Sequence, residues 1–375
     1  MDFQFSEEQA SVRELARGIL DKEVTVERVK KATADPDWCD RPLWRTLADA
    51  GLLGLVVPES LGGMGYGIVE ACLLLQEIGR VVAPLPALPT LVLGAMAIAQ
   101  FGTAAQQQQW LPAIAAGKTI LSGALVDAGS ADPAQPATTA RREGGQWRLD
   151  GHKLYLQAAN LAERVLVPAS TGDGVGLFLL DPRGGGATMT RQGTSSGEPL
   201  FHLGLSGAPV GAADLLGGDA MAGGDKVSWL YQRALAAACA TQLGVSEKTI
   251  AITSRYVCER IQFGVAIGSF QAVQHRLADC YIDLEAIRWT TWRAAWKLSA
   301  GQSAERELAV AKFWAADGGA RIASAAQHLH GGIGVDIDYP VHRYFLWSKG
   351  LELTLGGASS HLARLGRELA RSGPR

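Results

Sequence analysis

The feature that most limits the fold is a double change of rhythm along the chain. Up to about residue 118, apolar side chains recur at helical spacing, as in residues 5–20, 43–53 and 69–78. From about 119 to 225, glycine, threonine, serine and aspartate become frequent. Short β-type runs appear there at residues 146–149, 164–167 and 176–180. Asp150-Gly151, Gly172-Asp173-Gly174 and Asp181-Pro182-Arg183-Gly184 read as the turns between them. From 226 to 371 long alanine-rich helical stretches return, interrupted around 264–268, at Gly301 and at 331–334. Helices, then strands, then helices is an α+β order and does not suggest alternating βαβ units. The expected organisation is an N-terminal helical domain (1–118), a middle antiparallel β domain (119–225) and a C-terminal helical bundle (226–375), with no internal repeat.

Composition narrows the partners. With 375 residues, 47% apolar and 19% charged, the chain has ample material for more than one buried layer. A net charge of −2 predicts no nucleic acid and no anionic membrane surface as partner. The five cysteines (Cys39, Cys72, Cys239, Cys258, Cys280) are scattered and odd in number. That pattern reads as buried free thiols in a reducing cytoplasm. Ser6-Glu7-Glu8 is a helix start rather than part of a signal peptide. The most apolar run, residues 87–99, is expected to be broken by Pro89 and Gly94 and is too short to span a bilayer.

Four blocks of motif stand in order along the chain. Residues 51–59 (Gly-Leu-Leu-Gly-Leu-Val-Val-Pro-Glu) run into Gly62-Gly63-Met64-Gly65-Tyr66-Gly67. Trp110-Leu111-Pro112 precedes Ala116-Gly117-Lys118, and Arg260-Ile261-Gln262-Phe263-Gly264 precedes Gln271. His330-Gly331-Gly332-Ile333-Gly334 is followed by Tyr339-Pro340, Lys349 and Leu355-Gly356-Gly357. Each block alone is weak, but four in register over nearly the whole chain resemble the acyl-CoA dehydrogenase family. The resemblance implies helical, β and four-helix domains. It also implies FAD as cofactor and α,β-desaturation of an acyl-CoA thioester, with an electron-transfer flavoprotein or other acceptor taking the electrons.

The resemblance also assigns cofactor-side residues. Arg260 matches an arginine on the FAD pyrophosphate, where a permanently charged fork suits phosphate oxygens. The plainer alternative is a surface helix-end arginine in an ion pair with Glu259 or another acid. Phe263 would pack on the nucleotide, or else be a core aromatic. Gln271 would face the adenine side, or else lie on a solvated helix face. Gly331 and Gly332 would let backbone approach the nucleotide, or would simply form an interhelix turn. His328 stands where the family often has a glutamine.

Other family positions have changed. The base of many members falls by ungapped counting on Leu355, and the alternative upstream base falls on Ala234. Neither side chain accepts a proton. The middle-domain flavin contacts correspond to residues 126–130 and to Tyr155-Leu156-Gln157, without the usual threonine. Retention on one side with loss on the other resembles the base-lacking subunit of α2β2 acyl-CoA dehydrogenases of actinobacterial steroid side-chain catabolism. The implied partner is a glutamate-bearing paralogue in a heterotetramer. Two alternatives remain open at this stage: a homomeric enzyme with a relocated base (Glu247, Glu259 and Glu352 are the acids at hand), and a non-catalytic binding paralogue. Residues 235–245 carry no charge, which suggests an apolar face left open in the isolated chain.

Overall fold

The structure is a computed structural model that describes residues 4–218 and 223–372. Helix α1 (Glu7–Glu23) starts at Ser6, whose hydroxyl accepts from the Gln9 backbone while the Gln9 side chain accepts from the Ser6 backbone. Helices α2 (Val26–Ala34), α3 (Arg41–Asp49) and α4 (Ile68–Val81) follow. The apolar spacing over 43–53 overruns the real end of α3. The chain leaves the helix at Ala50, and Gly51 turns it with φ +78°. Pro89 and Gly94 do not break the next apolar run. Leu88–Met96 is a fully buried π-helix, continued by α5 (Ala97–Phe101) and then α6 (Ala104–Ala115). Pro89 sits in the first turn, where its missing N–H is not needed.

The middle segment is a single sheet. Its strands are β1 (Leu121–Gly123), β2 (Val126–Asp127), β3 (Thr139–Glu143), β4 (Gln146–Gln157), β5 (Arg164–Ser170), β6 (Val175–Leu180), β7 (Ala187–Gln192) and β8 (Leu200–Val210). They lie in the order β1-β5-β3-β4-β8-β7, with β2 also on β4 and β6 also on β5. Two expectations are corrected here. The sheet is mixed, because β1 and β3 both pair parallel with β5. Asp150-Gly151 is not a turn but an irregularity inside β4, with a register shift between Leu149 and Gly151. A Cβ at Gly151 would lie 2.8 Å from the Thr138 backbone, so glycine lets the long strand bend there. Alternate residues of β4 and β8, among them Trp147, Leu149, Leu156, Phe201, Leu203 and Leu205, form the core with Phe178.

The remaining elements are α7 (Gly223–Glu259), a small hairpin of β9 (Ile261–Gln262) and β10 (Val265–Ala266), α8 (Gln271–Ser299), α9 (Glu305–His330), α10 (Val341–Leu353) and α11 (Ala358–Ser372). By contacts the chain forms two compact units that do not follow chain order. One holds Met1–Val29, Cys72–Ala83 and Leu235–Arg375; the other holds Lys30–Ala71 and Pro84–Ala234. In the first unit the second half of α4 lies against α7 through glycines. A Cβ at Gly79 would fall 2.2 Å from the Thr241 carbonyl oxygen, and one at Gly244 would fall 1.9 Å from that of Gln76. The charge-free residues 235–245 are buried throughout and are no open face. Exposed apolar side chains lie instead on α8, at Tyr281, Ile282, Trp289 and Trp296. Cys258 departs from the buried-thiol expectation, since it is exposed while the other four are buried. Among the described residues no helix is long and apolar enough to cross a membrane.

Candidate functional site

In the helical unit, one end of the bundle gathers the nucleotide-side candidates. Tyr256, near the end of α7, stacks on His330 with ring centroids 4.3 Å apart, and its hydroxyl donates to the His330 carbonyl at 3.3 Å. His330 Nδ1 lies 2.7 Å from the Ala326 carbonyl, and Nε2 is 3.3 Å from the Tyr339 hydroxyl. Burial lowers the pKa of this imidazole. The aromatic clasp thereby joins the segment that carries Arg260 to the segment that carries Gly331 and Gly332.

The residues around the clasp face outward. Phe263 and Gly264 form the two-residue turn of the β9–β10 hairpin, with φ +53° and +81°. A side chain in that conformation costs about 1–2 kcal/mol, and Phe263 is held in it while 93% exposed. It is therefore not a core aromatic of this chain; its ring neighbour is Phe270, 6.1 Å away. Arg260 is exposed, and the acid beside it is taken: Glu259 accepts from Arg255 at 2.9 Å. The simple ion pair suggested as an alternative for Arg260 does not form. Gln271 opens α8 and His328 lies on α9, both exposed. A Cβ at Gly331 or Gly332 would meet nothing within 4 Å. Only Gly331 needs glycine for its backbone, at φ +63° and ψ −141°. The space beside both is open.

The position expected for the base, Leu355, belongs to a pinned loop. Leu355 has φ +58° and Gly356 φ +100°, between α10 and α11. Two buried basic side chains hold this turn. Lys312 Nζ donates to the carbonyls of Leu351 (3.0 Å) and Glu352 (3.1 Å), capping the end of α10. His361 Nε2 lies 3.1 Å from the Leu355 carbonyl. Burial pushes the Lys312 ammonium down to about 8 and the His361 imidazole down to about 4. The nearby acids are engaged elsewhere. Glu352 binds Lys349 at 2.8 Å, and Glu247 binds Arg288 at 2.5 Å and Gln76 at 2.8 Å.

In the other unit the counterpart residues are closed on themselves. Lys153 and Asp127 form a buried ion pair, and the Thr138 hydroxyl donates to Asp127 at 2.9 Å. Burial lowers the Lys153 pKa, opposed by its bond to Asp127. Gln157, at the end of β4, spends its amide on the Glu198 carboxyl at 2.9 Å. Burial pushes Glu198 up to about 7, against that bond. Tyr155 is exposed at φ +59°. Ala234 is buried within α7 and offers no functional group. The sequence reading missed Glu198, Lys312, His361 and the Tyr256–His330–Tyr339 clasp. Lys312 did leave a signal, as a lone charge in the apolar run 308–316.

Comparison with known proteins now decides the family. Residues 6–118 match the N-terminal domain of acyl-CoA dehydrogenases, and residues 236–370 match the C-terminal domain. Acyl-CoA dehydrogenase FadE27 of Mycobacterium tuberculosis is 40% identical over 99% of this chain and 100% of its own length. The chain belongs to the acyl-CoA dehydrogenase family. FadE28 of the same organism is 33% identical over 98% of each chain. Among solved structures, one chain of the ChsE4–ChsE5 complex from Mycobacterium tuberculosis superposes with a TM-score of 0.93 at 39% identity, covering all of both chains. A steroid acyl-CoA dehydrogenase, the Tcur3481–Tcur3483 G363A variant, gives 0.90 at 43% identity over 98% of each chain. This family is FAD-dependent, and its helical–β–helical fold is the one described above.

Proposed function

We propose that this chain is the base-lacking subunit of a heteromeric, FAD-dependent acyl-CoA dehydrogenase acting on a steroid side-chain-type CoA thioester. The observation that carries the reading is the pinned loop at 355. Its backbone is held by Lys312 and His361, yet the side chain at the family's base position is leucine. A relocated base fares poorly, since Glu247, Glu259 and Glu352 are each tied to a cation. Two of the close relatives are named as two-component assemblies, and one of them as a steroid enzyme.

The donors fit FAD on the nucleotide side. Arg260 offers a free fork for the pyrophosphate, Phe263 an exposed ring, Gln271 an amide, and Gly331–Gly332 an open backbone edge with His328 beside it. The middle-domain half fits less well, because Gln157 is committed to Glu198. In this reading the nucleotide-side groups serve a flavin whose ring is held by a glutamate-bearing paralogue. When bound, FAD supplies the acceptor for the hydride leaving the substrate's β-carbon. An electron-transfer flavoprotein or another acceptor reoxidises the assembly.

Expression of the chain alone and together with a glutamate-bearing paralogue tests this. The pair should copurify with flavin and oxidise an acyl-CoA. The single chain should turn over at least about 10²-fold more slowly, the lower end of what a general base contributes. Robust turnover by the single chain would overturn the proposal.

A further inference from the structure

On the solvent face of the sheet, two histidines meet across β4 and β8. His152 Nδ1 lies 3.1 Å from His202 Nε2, with ring centroids 5.1 Å apart and planes tilted by 35°. His152 pairs in register with Gly204, so His202 is its diagonal neighbour two residues along. Gly204 has no side chain to hold the rings apart. Beyond it, Thr188 pairs with Gly204 and Thr190 with His202, both threonines exposed. Nothing in the acyl-CoA chemistry above uses this face.

From this geometry we propose a cross-strand bis-imidazole site for a divalent borderline transition ion: copper, nickel or zinc. Imidazole nitrogens bind such ions at about 2.0–2.1 Å, and two of them on one metal at 90–110° stand about 2.9–3.4 Å apart. The observed 3.1 Å falls inside that span. Both ligands sit on interior strands of the sheet, since β4 is flanked by β3 and β8, and β8 by β4 and β7. Their backbones are therefore already placed. In the metal-free pair one ring nitrogen donates to the other; on metal binding the donating ring takes its other tautomer, with its proton on the ring nitrogen that faces away from the ion. Among the described residues no cluster of three or more His, Cys, Asp or Glu side chains is poised for a metal. Water therefore completes the coordination, and the site is an exchangeable one rather than a structural one.

The test is titration of untagged full-length protein with copper(II) in a non-coordinating buffer, followed by calorimetry and electron paramagnetic resonance. One ion per chain should bind with a dissociation constant in the micromolar range or tighter, and the spectrum should show coupling to two imidazole nitrogens. His152→Gln and His202→Gln should each weaken binding at least about tenfold, and the double variant little further. Copper should in turn displace nickel or zinc bound at the site. Unchanged affinity in both single variants would overturn the proposal, as would millimolar binding by the parent protein. If a variant does not fold, the nitrogen count on the parent protein decides alone: fewer than two imidazoles refutes the site.

Discussion

The two polar regions of this molecule handle charge in opposite ways. In the β-containing unit, Lys153, Asp127, Gln157 and Glu198 find partners inside their own chain. In the helical unit, Arg260, Phe263 and the 331–332 backbone point outward, and the acid nearest Arg260 goes to Arg255. Within the first pattern, burial explains the Lys153–Asp127 pair, because a charge removed from water without a partner is too costly to keep. It does not explain the second. Exposed side chains have no such obligation, so a large ring held out at positive φ calls for something outside the chain. A polar site that has closed on itself and one that is still open can thus be told apart within a single structure.

The sharpest way to break this contrast is to unpair the closed side. Asp127→Ala leaves a buried ammonium at Lys153 and should destabilise the protein by about 3–5 kcal/mol in chemical denaturation. Asp127→Leu with Lys153→Met should recover most of that. A loss under about 1 kcal/mol would mean that the pair is not closed as described.

On the open side the expectation reverses. Arg260→Ala should leave unfolding stability within about 0.5 kcal/mol. The same change should weaken FAD retention by the assembled enzyme by about 1.5–3 kcal/mol, the range for a bond to a charged group. Arg260→Lys should recover only part of it, since a point charge lacks the fork. Full flavin at low free FAD in the alanine variant would make Arg260 an ordinary surface residue.

The smallest effect is a pair of opposed pH dependences, one in each unit. Glu198 has its folded pKa raised to about 7 from 4.5, so the folded state holds the extra proton and stability falls as pH rises from 4.5 to 7. His361 has its folded pKa lowered to about 4 from 6.5, so stability falls as pH drops from 6.5 towards 4. The two slopes offset each other in the parent protein. Glu198→Gln should expose the histidine's slope, and His361→Gln the glutamate's, each below the roughly 3 kcal/mol that shifts of this size would give without solvent screening. Stability profiles of both variants parallel to the parent's would show that neither group carries the shift described.

Much of the fold was legible in the chain because it is local. Helical spacing, the Ser6 cap and the glycine breaks at 264, 301 and 331 depend on neighbours in sequence. What could not be read depends on distant partners. Gly151 looks like a turn until β8 is seen beside it, since a bulge and a turn share one local signature. The parallel pairing of β1 with β5 joins residues more than forty apart, and so does the Gln157–Glu198 bond. Of the site, the residue types at 260, 263, 331 and 355 were readable from motif spacing. The aromatic clasp and the pins under Leu355 were not, because each needs two helices folded together.

The cysteines give this chain a built-in reporter. Cys39, Cys72, Cys239 and Cys280 are buried, and burial pushes the thiols of Cys39 and Cys239 up to about 12 and that of Cys280 to about 11, which suppresses the reactive thiolate. Cys258 alone is exposed, two residues before Arg260. A thiol-reactive fluorophore added to the unaltered protein should therefore label a single position, beside the segment proposed for the nucleotide. Docking of a second subunit or arrival of the flavin can then be followed as a change in emission, with no engineered cysteine and no loss of native sequence.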